Sequence, residues 1–231
     1  MKKMKIVDIH YDDEAYRFIM HKLAQTEFDI NIGKLIIDHT PSTVGYCDHE
    51  RLITKLIKPR SWHEKIKQLW GHSRINKEIN GFKTLNYLGI KTPALICYGF
   101  NPMQIFNHKY IGFHVTENLS LKGNTECLSL FNDKSCRQER RLVILHKICK
   151  ALLHIKNNNI VFTDFHLSNV FVDNNDEITL IDPGLTKYHS QRKVNEKFNQ
   201  STKRLLNFYG ENFFTLKEKD YLIKTLSIPR S

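Results

Sequence analysis

Apolar and polar positions follow two different patterns in the second half of this chain. Residues 169–172 and 178–181 are short apolar runs, and residues 173–176 between them are Asp, Asn, Asn and Asp. Apolar runs on either side of an Asn/Asp cluster predict a β-hairpin. Residues 137–156 instead repeat apolar side chains at helical spacing. Three asparagines follow them, which predicts a helix with suitable C-terminal capping residues.

Helices and strands are also predicted over the rest of the chain. Helices are predicted over residues 194–208 and 215–226, and Thr215 and Glu218 have the spacing of a capping box. The acidic start and apolar spacing of residues 12–23 predict a short leading helix. Strands are predicted over residues 34–38, 43–47, 51–57, 94–100 and 110–115.

Composition restricts the class of protein. A chain of 231 residues with 41% hydrophobic residues is large enough for one large domain or two lobes. The five cysteines form no CxxC pair, which predicts reduced thiols in a cytoplasmic setting. The N-terminus begins with basic residues but lacks an apolar signal region, and no apolar run has membrane-spanning length.

Positive charge is concentrated in one stretch. The net charge is +11, and residues 51–91 alone contain ten lysines and arginines against two glutamates, a net charge of +8. Such a block attracts phosphate groups of nucleotides, nucleic acids or anionic membranes, although an ordinary solvated basic face is an alternative. Within it, residues 61–70 predict a basic amphipathic helix with Trp62 and Trp70 near its ends. This helix could lie at a membrane surface or pack its tryptophans inward.

Three polar residues flank the predicted hairpin at informative distances. Asp164 precedes Asn169 by five positions, and Asp182 follows the second strand, directly before Pro183 and Gly184. This is the layout of a kinase catalytic loop and metal-binding segment. Asn169 and Asp182 offer the hard oxygen ligands that Mg²⁺ prefers, and Asp164 could accept the proton of an attacking hydroxyl. Any one of them could be an ordinary turn residue, but the three together favour a kinase.

These residues also carry a family resemblance. Residues 163–169 (TDFHLSN, here the catalytic loop) and 180–184 (LIDPG, here the metal-binding segment) resemble the loops of eukaryotic-like small-molecule kinases. They are most similar to the lipopolysaccharide core kinases, which phosphorylate Kdo or heptose sugars. Two positions depart from protein kinases: Phe162 replaces a histidine, and Pro183 replaces a phenylalanine. The resemblance extends over most of the chain between Lys55 and Leu226.

The resemblance implies an α+β, two-lobed protein-kinase-like fold. Residues 1–116 would form a lobe with a small antiparallel sheet, and residues 117–231 would form a mostly helical lobe. The implied activity is transfer of the ATP γ-phosphate, with Mg²⁺, to a hydroxyl of a lipopolysaccharide inner-core sugar. Asp164 would be the catalytic base, and Asn169 and Asp182 would bind the metal.

Lys55 is the candidate for binding the α- and β-phosphates of ATP. It alternates with Ile53 on one face of the third predicted strand, which would place Ile53 against the adenine. Lys58, on the opposite face, is the reserve candidate. Glu78 lies on the apolar stripe of the next predicted helix, where a carboxylate needs a partner. Lys55 is the natural partner, and a position at the rim beside other lysines is the alternative.

The remaining nucleotide contacts rest on position alone. The loop between the first two small-lobe strands has no GxGxxG motif, so Ser42 and Thr43 are the candidates for phosphate contacts through their backbone amides. The backbone of Glu117 to Leu119 is predicted to bind the adenine edge as the hinge between the lobes.

The predicted acceptor is a lipid-linked core oligosaccharide at the anionic inner-membrane surface. The protein would then be cytoplasmic and peripheral on the cytosolic face of that membrane, and no nucleic-acid partner is expected. His166 and Lys187 are candidate acceptor contacts, because acidic sugars favour cationic or hydrogen-bonding groups.

Three other functions remain open from the sequence. The first is an antibiotic-type or other small-molecule phosphotransferase, or an atypical protein kinase. The second is a catalytically inactive kinase-like binding module, although the expected base, metal ligands and lysine are all present. The third is nucleic-acid binding through the basic block, which no nucleic-acid motif supports.

Overall fold

The computed structural model describes residues 5–9, 34–47, 51–61, 63–64, 73–100 and 110–228. The helix predicted over residues 12–23 and most of the one predicted over residues 61–70 lie outside these ranges. The chain divides into two compact units. The first comprises Met1–Asn80 and Pro93–Leu121, and the second comprises Gly81–Thr92 and Lys122–Ser231.

The first unit is built on a six-stranded antiparallel sheet. Its strands are β1 (Lys5–Ile9), β2 (Leu35–His39), β3 (Ser42–Cys47), β4 (Leu52–Ile57), β5 (Leu95–Phe100) and β6 (Gly112–Glu117), in the spatial order β1-β5-β6-β4-β3-β2. Strands β2 to β6 confirm the five strands predicted from the sequence. Strand β1 was not predicted, and it forms an edge by pairing antiparallel with β5.

Strand β4 is the central strand for the candidate site. It pairs with β3 on one side and with β6 on the other, so that Lys55 lies opposite Val44 and His114. The buried cluster under the sheet consists of Ile57, Ile75, Ile79, Tyr98 and Ile111.

Helix α1 (Arg74–Tyr87) confirms the predicted helix that carries Glu78. Its buried residues Ile75, Phe82 and Leu85 have the predicted spacing. The boundary between the two units falls inside this helix, after Asn80.

The second unit surrounds a long helix. It contains the helices α2 (Cys127–Asn132), α3 (Gln138–Asn157), α4 (Gln191–Phe208) and α5 (Leu216–Leu226). The last three confirm predicted helices, and the short α2 was not predicted. The buried side of α3 consists of Ile144, Leu145, Ile148, Cys149, Leu152 and Ile155. The helix ends at the predicted asparagines, where Asn159 has a φ of 61°. Asparagine adopts this left-handed conformation more readily than most residues, which explains its use at a helix end.

Short strands complete the second unit. The predicted hairpin is confirmed as β9 (Val170–Val172) and β10 (Ile178–Leu180), with β7 (Thr125–Glu126) added beside β9. In its turn, the Asp173 carboxylate accepts the N–H groups of Asn175 and Glu177 at 2.9 Å. A separate antiparallel pair, β8 (Ile160–Phe162) and β11 (Leu185–Lys187), was not predicted.

A buried ion pair joins α3 to the start of α5. Arg141 Nη2 donates to Glu218 Oε2 at 3.0 Å, and Arg141 Nε lies 2.8 Å from Glu218 Oε1. The Glu218 side chain is 0% exposed, and the Arg141 guanidinium lies 4.5 Å from the ring centroid of Phe131. Glu218 also completes the predicted capping box with Thr215, because its carboxylate accepts the Thr215 N–H at 2.8 Å.

Two sequence expectations concern the chain as a whole. The four cysteines whose side chains are described, Cys97, Cys127, Cys136 and Cys149, are free thiols. Within the described residues, no helix combines the length and apolar character that crossing a membrane requires.

We expect Glu218→Ala to destabilise the protein by about 3–5 kcal/mol. The change leaves the buried Arg141 guanidinium without its carboxylate partner. It also removes one of the two bonds of the capping box, that from the Thr215 N–H to the Glu218 carboxylate. The measurement is the free energy of unfolding in urea.

Glu196→Ala is the matched control. Glu196 is exposed and makes surface contacts with Lys197 at 3.7 Å and with Gln200 Nε2 at 3.2 Å, so its loss should change stability by less than about 0.5 kcal/mol. A similar small loss for both variants would contradict this account of the buried pair.

Candidate active site

The catalytic loop begins where the ladder of β8 and β11 ends. Phe162 pairs with Leu185 in that ladder. One residue further on, both the backbone N–H and the hydroxyl of Thr163 donate to the carbonyl of Gly184 at 2.9 Å. These bonds hold the start of the catalytic loop against the metal-binding segment.

Asp164 comes next, and its side chain is 80% exposed. Gly184 lies beside it: a Cβ atom on this glycine would be 3.6 Å from the Asp164 Cβ and 3.8 Å from its Oδ2. The carboxylate is therefore open to solvent and also borders residues 180–184.

Asn169 is buried and bonded to both segments. Its Nδ2 donates to the backbone carbonyl of Asp164 at 3.2 Å, and its own backbone carbonyl accepts the N–H of Ile181 at 2.9 Å. The second bond continues the ladder of β9 and β10, and it ends one residue before Asp182. Since the amide nitrogen is used by the catalytic loop, the amide oxygen is the atom of Asn169 that suits a cation.

Asp182 has an unusual backbone conformation. Its φ is 48°, in the left-handed region, which aspartate and asparagine adopt more readily than other residues except glycine. The turn is tight, because Gly184 N–H donates to the Asp182 carbonyl and Leu185 N–H donates to the Pro183 carbonyl, both at 2.8 Å. These two bonds fix the backbone from Asp182 to Leu185.

The donor chemistry of Asn169 and Asp182 fits magnesium. Mg²⁺ is usually held by one or two side-chain oxygens together with water and phosphate oxygens. An amide oxygen and a carboxylate, brought together through Ile181, are such a pair. The metal-binding role of these two residues stays a prediction with which the donor set agrees.

His166 lies in the same loop and is half-buried. Its Nδ1 is 2.8 Å from the hydroxyl of Ser168, and its ring is nearly parallel to that of Phe208, with ring centroids 5.8 Å apart. Burial lowers the pKa of His166, and the nearby carboxylates of Asp182 and Asp164 offset this only in part. A neutral imidazole that can donate or accept a hydrogen bond is the expected form at neutral pH.

Lys187, the other candidate acceptor contact, lies at the far end of β11. It pairs with Ile160, the first residue of β8, whereas the catalytic loop follows the last residue of that strand. Its side chain is exposed. The structure thus groups Asp164, His166, Asn169 and Asp182 and leaves Lys187 at the other end of the strand pair.

In the first unit, Lys55 and Glu78 form the predicted pair. Lys55 Nζ lies 3.1 Å from Glu78 Oε2, and the side chains are 9% and 13% exposed. Two further basic groups reach the same carboxylate: His114 Nε2 lies 3.1 Å from Oε2, and Arg74 Nη2 lies 3.6 Å from Oε1. His114 reaches it because it is the cross-strand neighbour of Lys55, and such neighbours share one face of a sheet.

The Glu78 carboxylate is ionised by its surroundings. Burial alone raises its pKa, but the charge of Lys55 and the hydrogen bond and charge of His114 outweigh burial and lower the pKa to about 2. The ion pair therefore holds Lys55 in a fixed position in the sheet, as a phosphate-binding lysine requires.

Hydrogen bonds and an ion pair hold the turn between β2 and β3, which is the predicted phosphate loop. The Asp38 carboxylate accepts the hydroxyl of Thr43 at 2.7 Å and forms a short ion pair with Lys58. The carbonyl of Pro41 accepts bonds from the Lys58 N–H at 3.0 Å and from Arg74 Nη1 at 3.1 Å. Lys58, the reserve candidate, therefore supports the turn that carries Ser42.

Other predicted nucleotide contacts are placed as follows. Ile53 is partly buried on β4, opposite Thr116. In the predicted hinge, the N–H of Glu117 donates to Ala94 and the N–H of Asn118 donates to Arg51. Adenine contacts from the Glu117–Leu119 segment would therefore have to use other backbone atoms. The adenine role of Ile53, Glu117 and Leu119 stays a prediction.

A contact that the sequence did not predict lies within the second unit. Gly81 of α1 packs on the metal-binding segment so closely that an added Cβ would be 2.4 Å from the Pro183 carbonyl oxygen and 2.8 Å from its Cγ. A glycine inside a helix is destabilising relative to alanine by about 1 kcal/mol, so its use here reflects this close approach.

Two residues that contact predicted site residues, one in each unit, were also not predicted from the sequence. His114 could have been found only from the strand register, since no motif marks it. Arg204 of α4 lies 4.0 Å from the Asp164 carboxylate, and its contact depends on how α4 packs on β8. Neither arrangement leaves a local pattern in the sequence.

Together these features define a class. An antiparallel sheet carrying a paired lysine and glutamate, and a helical unit carrying the Asp164–Asn169 loop and an Asp-x-Gly turn, form the α+β, two-lobed protein-kinase-like fold that was predicted. The chain belongs to the protein tyrosine and serine/threonine kinase family, whose model it matches over residues 41–210.

Individual relatives are distant. No curated protein matches the chain. Among solved structures, it is similar to the bifunctional kinase-methyltransferase WbdD, with 15% identity and a TM-score of 0.46 over 83% of this chain and 44% of that one. A second WbdD crystal structure gives 16% identity and a TM-score of 0.48 over 84% and 46%. The chain thus spans less than half the length of these structures.

We expect acidification to remove the contribution of the Lys55–Glu78 pair to the free energy of unfolding. The pKa of Glu78 is lowered in the folded state, so its contribution to stability is complete above the unfolded value near 4.5 and is lost as the pH falls toward 2. The wild type should exceed Glu78→Gln by roughly 2–3 kcal/mol in the free energy of unfolding at pH 7, and the gap should close between about pH 5 and pH 2. A gap that does not change with pH would show that Glu78 contributes through packing instead.

We expect Gly81→Ala to be harmful although alanine favours helices. Overpacking against the Pro183 carbonyl is destabilising by about 1–3 kcal/mol, which exceeds the gain of about 1 kcal/mol in helix propensity. The displaced turn should also lower the rate of ATP turnover, since Asp182 adjoins Pro183. The control is Asn80→Ala on the exposed side of the same helix, which should stabilise slightly. Gly81→Ala with raised thermal stability and full turnover would contradict the contact.

Proposed function

We propose that this protein transfers the γ-phosphate of ATP to a hydroxyl of a lipopolysaccharide inner-core sugar, Kdo or heptose. The observation that carries the reaction class is the backbone arrangement in the second unit. Two short ladders hold the loop of Asp164 and Asn169 against the turn of Asp182. A base and two oxygen ligands on adjoining segments are what phosphoryl transfer to an alcohol requires.

Each group has a defined task in this proposal. Asp164 accepts the proton of the acceptor hydroxyl as the new oxygen–phosphorus bond forms and the bond from the γ-phosphorus to the bridging oxygen of ADP breaks. Lys55, held by Glu78, binds the α- and β-phosphates. Asn169 and Asp182 would hold Mg²⁺, which when bound neutralises charge on the phosphate oxygens.

The acceptor is inferred from the sequence resemblance. Residues 163–169 and 180–184 are most similar to the lipopolysaccharide core kinases, and both departures from protein kinases, Phe162 and Pro183, lie in or beside these segments. In the structure, Phe162 is buried and its ring packs edge-on against that of Phe165, with centroids 5.3 Å apart. The position therefore serves packing and has no need of a histidine.

The charge distribution supports a membrane-borne acceptor. A net charge of +8 over residues 51–91 favours an anionic surface such as the cytosolic face of the inner membrane. The proposed acceptor is therefore a lipid-linked core oligosaccharide, bound by a peripheral protein.

A second candidate is an atypical protein kinase, which the family match favours. The same base and ligands would then act on a serine, threonine or tyrosine hydroxyl. The two candidates differ in the acceptor and share the chemistry.

We expect Asp164→Asn to lower the rate of phosphoryl transfer by about 10²- to 10⁴-fold, because it removes the base while preserving side-chain size. Purified lipid A–core is incubated with ATP and Mg²⁺, and the gain of one phosphate is followed by mass spectrometry. Asp220→Asn, an exposed carboxylate of α5, is the matched control and should behave as the wild type.

Three results would change the proposal. A phosphate gain that survives in Asp164→Asn would remove Asp164 from its role. Transfer to a generic protein substrate but to no core acceptor would favour the protein kinase. Absence of transfer to any alcohol by the wild type would overturn the phosphotransferase itself.

A further inference from the structure

Helix α4 is fixed at two points, one at the end of β8 and one in the catalytic loop that follows it. The hydroxyl of Ser201 donates to the Phe162 carbonyl at 2.6 Å, and the hydroxyl of Tyr209, directly after the helix, accepts the Leu167 N–H at 2.5 Å. The buried side of the helix consists of Val194, Phe198, Ser201, Thr202 and Leu205. The last turns of α4 are therefore held beside the catalytic loop, and their exposed side adjoins Asp164.

Arg204 lies on that exposed side. Its Nη1 is 4.0 Å from Asp164 Oδ1, and its side chain is 68% exposed. An ion pair between two such exposed groups contributes little to stability, so the fold does not depend on it. Within the part of the chain that the structure describes, no other acidic group lies within 4 Å of this guanidinium. Its N–H donors can therefore serve a ligand at the base.

Phe208 lies one helical turn beyond Arg204, on the same side of α4. Phe208 is 67% exposed, and its ring is parallel to that of His166 within 12°. Tyr209 supports the ring edge-on at 4.9 Å between centroids. Burial of a phenylalanine side chain stabilises a protein, so packing gives no reason for this exposure. A guanidinium and an aromatic ring thus border one exposed carboxylate, all within the second unit.

We propose that Arg204 and Phe208 bind the acceptor and select a sugar that carries a carboxylate near the phosphorylated hydroxyl. This inference rests on the proposed function, since it assigns the acceptor side of the same site. The guanidinium matches the planar carboxylate with two parallel hydrogen bonds. The phenyl ring offers the C–H face of the sugar an apolar surface, and Asp164 accepts the hydroxyl proton.

This assignment discriminates between the two proposed acceptors. Kdo carries a carboxylate on its ring, and heptose does not. It also gives Arg204 the acceptor contact that the sequence suggested for Lys187, which lies at the far end of β11. A guanidinium near the base could instead contact the transferred phosphate, which is a different role with a different kinetic signature.

The test compares two acceptors that differ only in the carboxyl group, together with a third sugar that lacks it. The methyl glycosides of Kdo, of Kdo with its carboxyl converted to carboxamide, and of heptose are assayed with ATP and Mg²⁺. The enzymes are the wild type, Arg204→Gln, Phe208→Ala and Arg192→Gln. Arg192 is an exposed arginine about 18 Å along the same helix, so its substitution makes the same charge change away from the base.

In the wild type, the ratio of kcat/KM for the acid over the amide should be about 10- to 100-fold, as expected for hydrogen bonds to a charged group. Arg204→Gln should bring this ratio close to 1, and Arg192→Gln should leave it as in the wild type. Phe208→Ala should raise KM by about three- to tenfold for the acid and for the amide alike, while the acid-to-amide ratio of kcat/KM stays as in the wild type. The ratio compares two acceptors on one preparation, so loss of folded enzyme does not alter it.

Three outcomes overturn the inference. Equal use of acid and amide by the wild type, or of Kdo and heptose, removes the selectivity but leaves the phosphotransferase standing. If Arg204→Gln lowers kcat/KM equally for the acid and the amide of Kdo, Arg204 contacts the transferred phosphate instead of the acceptor carboxylate. No transfer to any glycoside, with transfer to a protein substrate, removes the sugar acceptor altogether.

Discussion

The pairing of two loop segments through backbone hydrogen bonds is the constraint on which the candidate active site depends. Loops lose conformational entropy when they are ordered, by about 1–2 kcal/mol per residue. Here the bonds from Thr163 to Gly184 and from Ile181 to Asn169 order both segments as extensions of existing ladders. The backbone therefore positions Asp164 and Asp182, and the Asp164 carboxylate remains exposed.

The first unit holds a charged side chain, Lys55, in a buried position on its sheet. A buried lysine is unfavourable unless it is paired. Strand β4 is hydrogen-bonded to strands on both sides, and Lys55 lies opposite His114 on one face of the sheet. The Glu78 carboxylate contacts both side chains. One carboxylate among three basic groups leaves local positive charge, which suits the binding of phosphate. The same chain thus combines an exposed carboxylate, Asp164, with a sheltered cation, Lys55.

Local patterns in the sequence predicted most of the elements, because amphipathic spacing and turn residues act over a few positions. The hairpin of β9 and β10, helix α3 and the capping box at Thr215 are of this kind. Glu78 was tied to Lys55 because a carboxylate on an apolar stripe needs a partner. Strand β1 and the three-residue strands β8 and β11 were missed, since each depends on a partner distant in the chain. Arg204 and His114 follow from helix packing and register, and neither is encoded locally.

Gly81 restricts how this chain can diverge. The atom that a side chain there would meet first is the carbonyl oxygen of Pro183, which belongs to the main chain. Exchanging the proline for a smaller residue would remove its ring but keep that oxygen, so no single compensating substitution restores room. In homologous proteins that preserve this helix contact, glycine should therefore persist at this position even where Pro183 has been replaced.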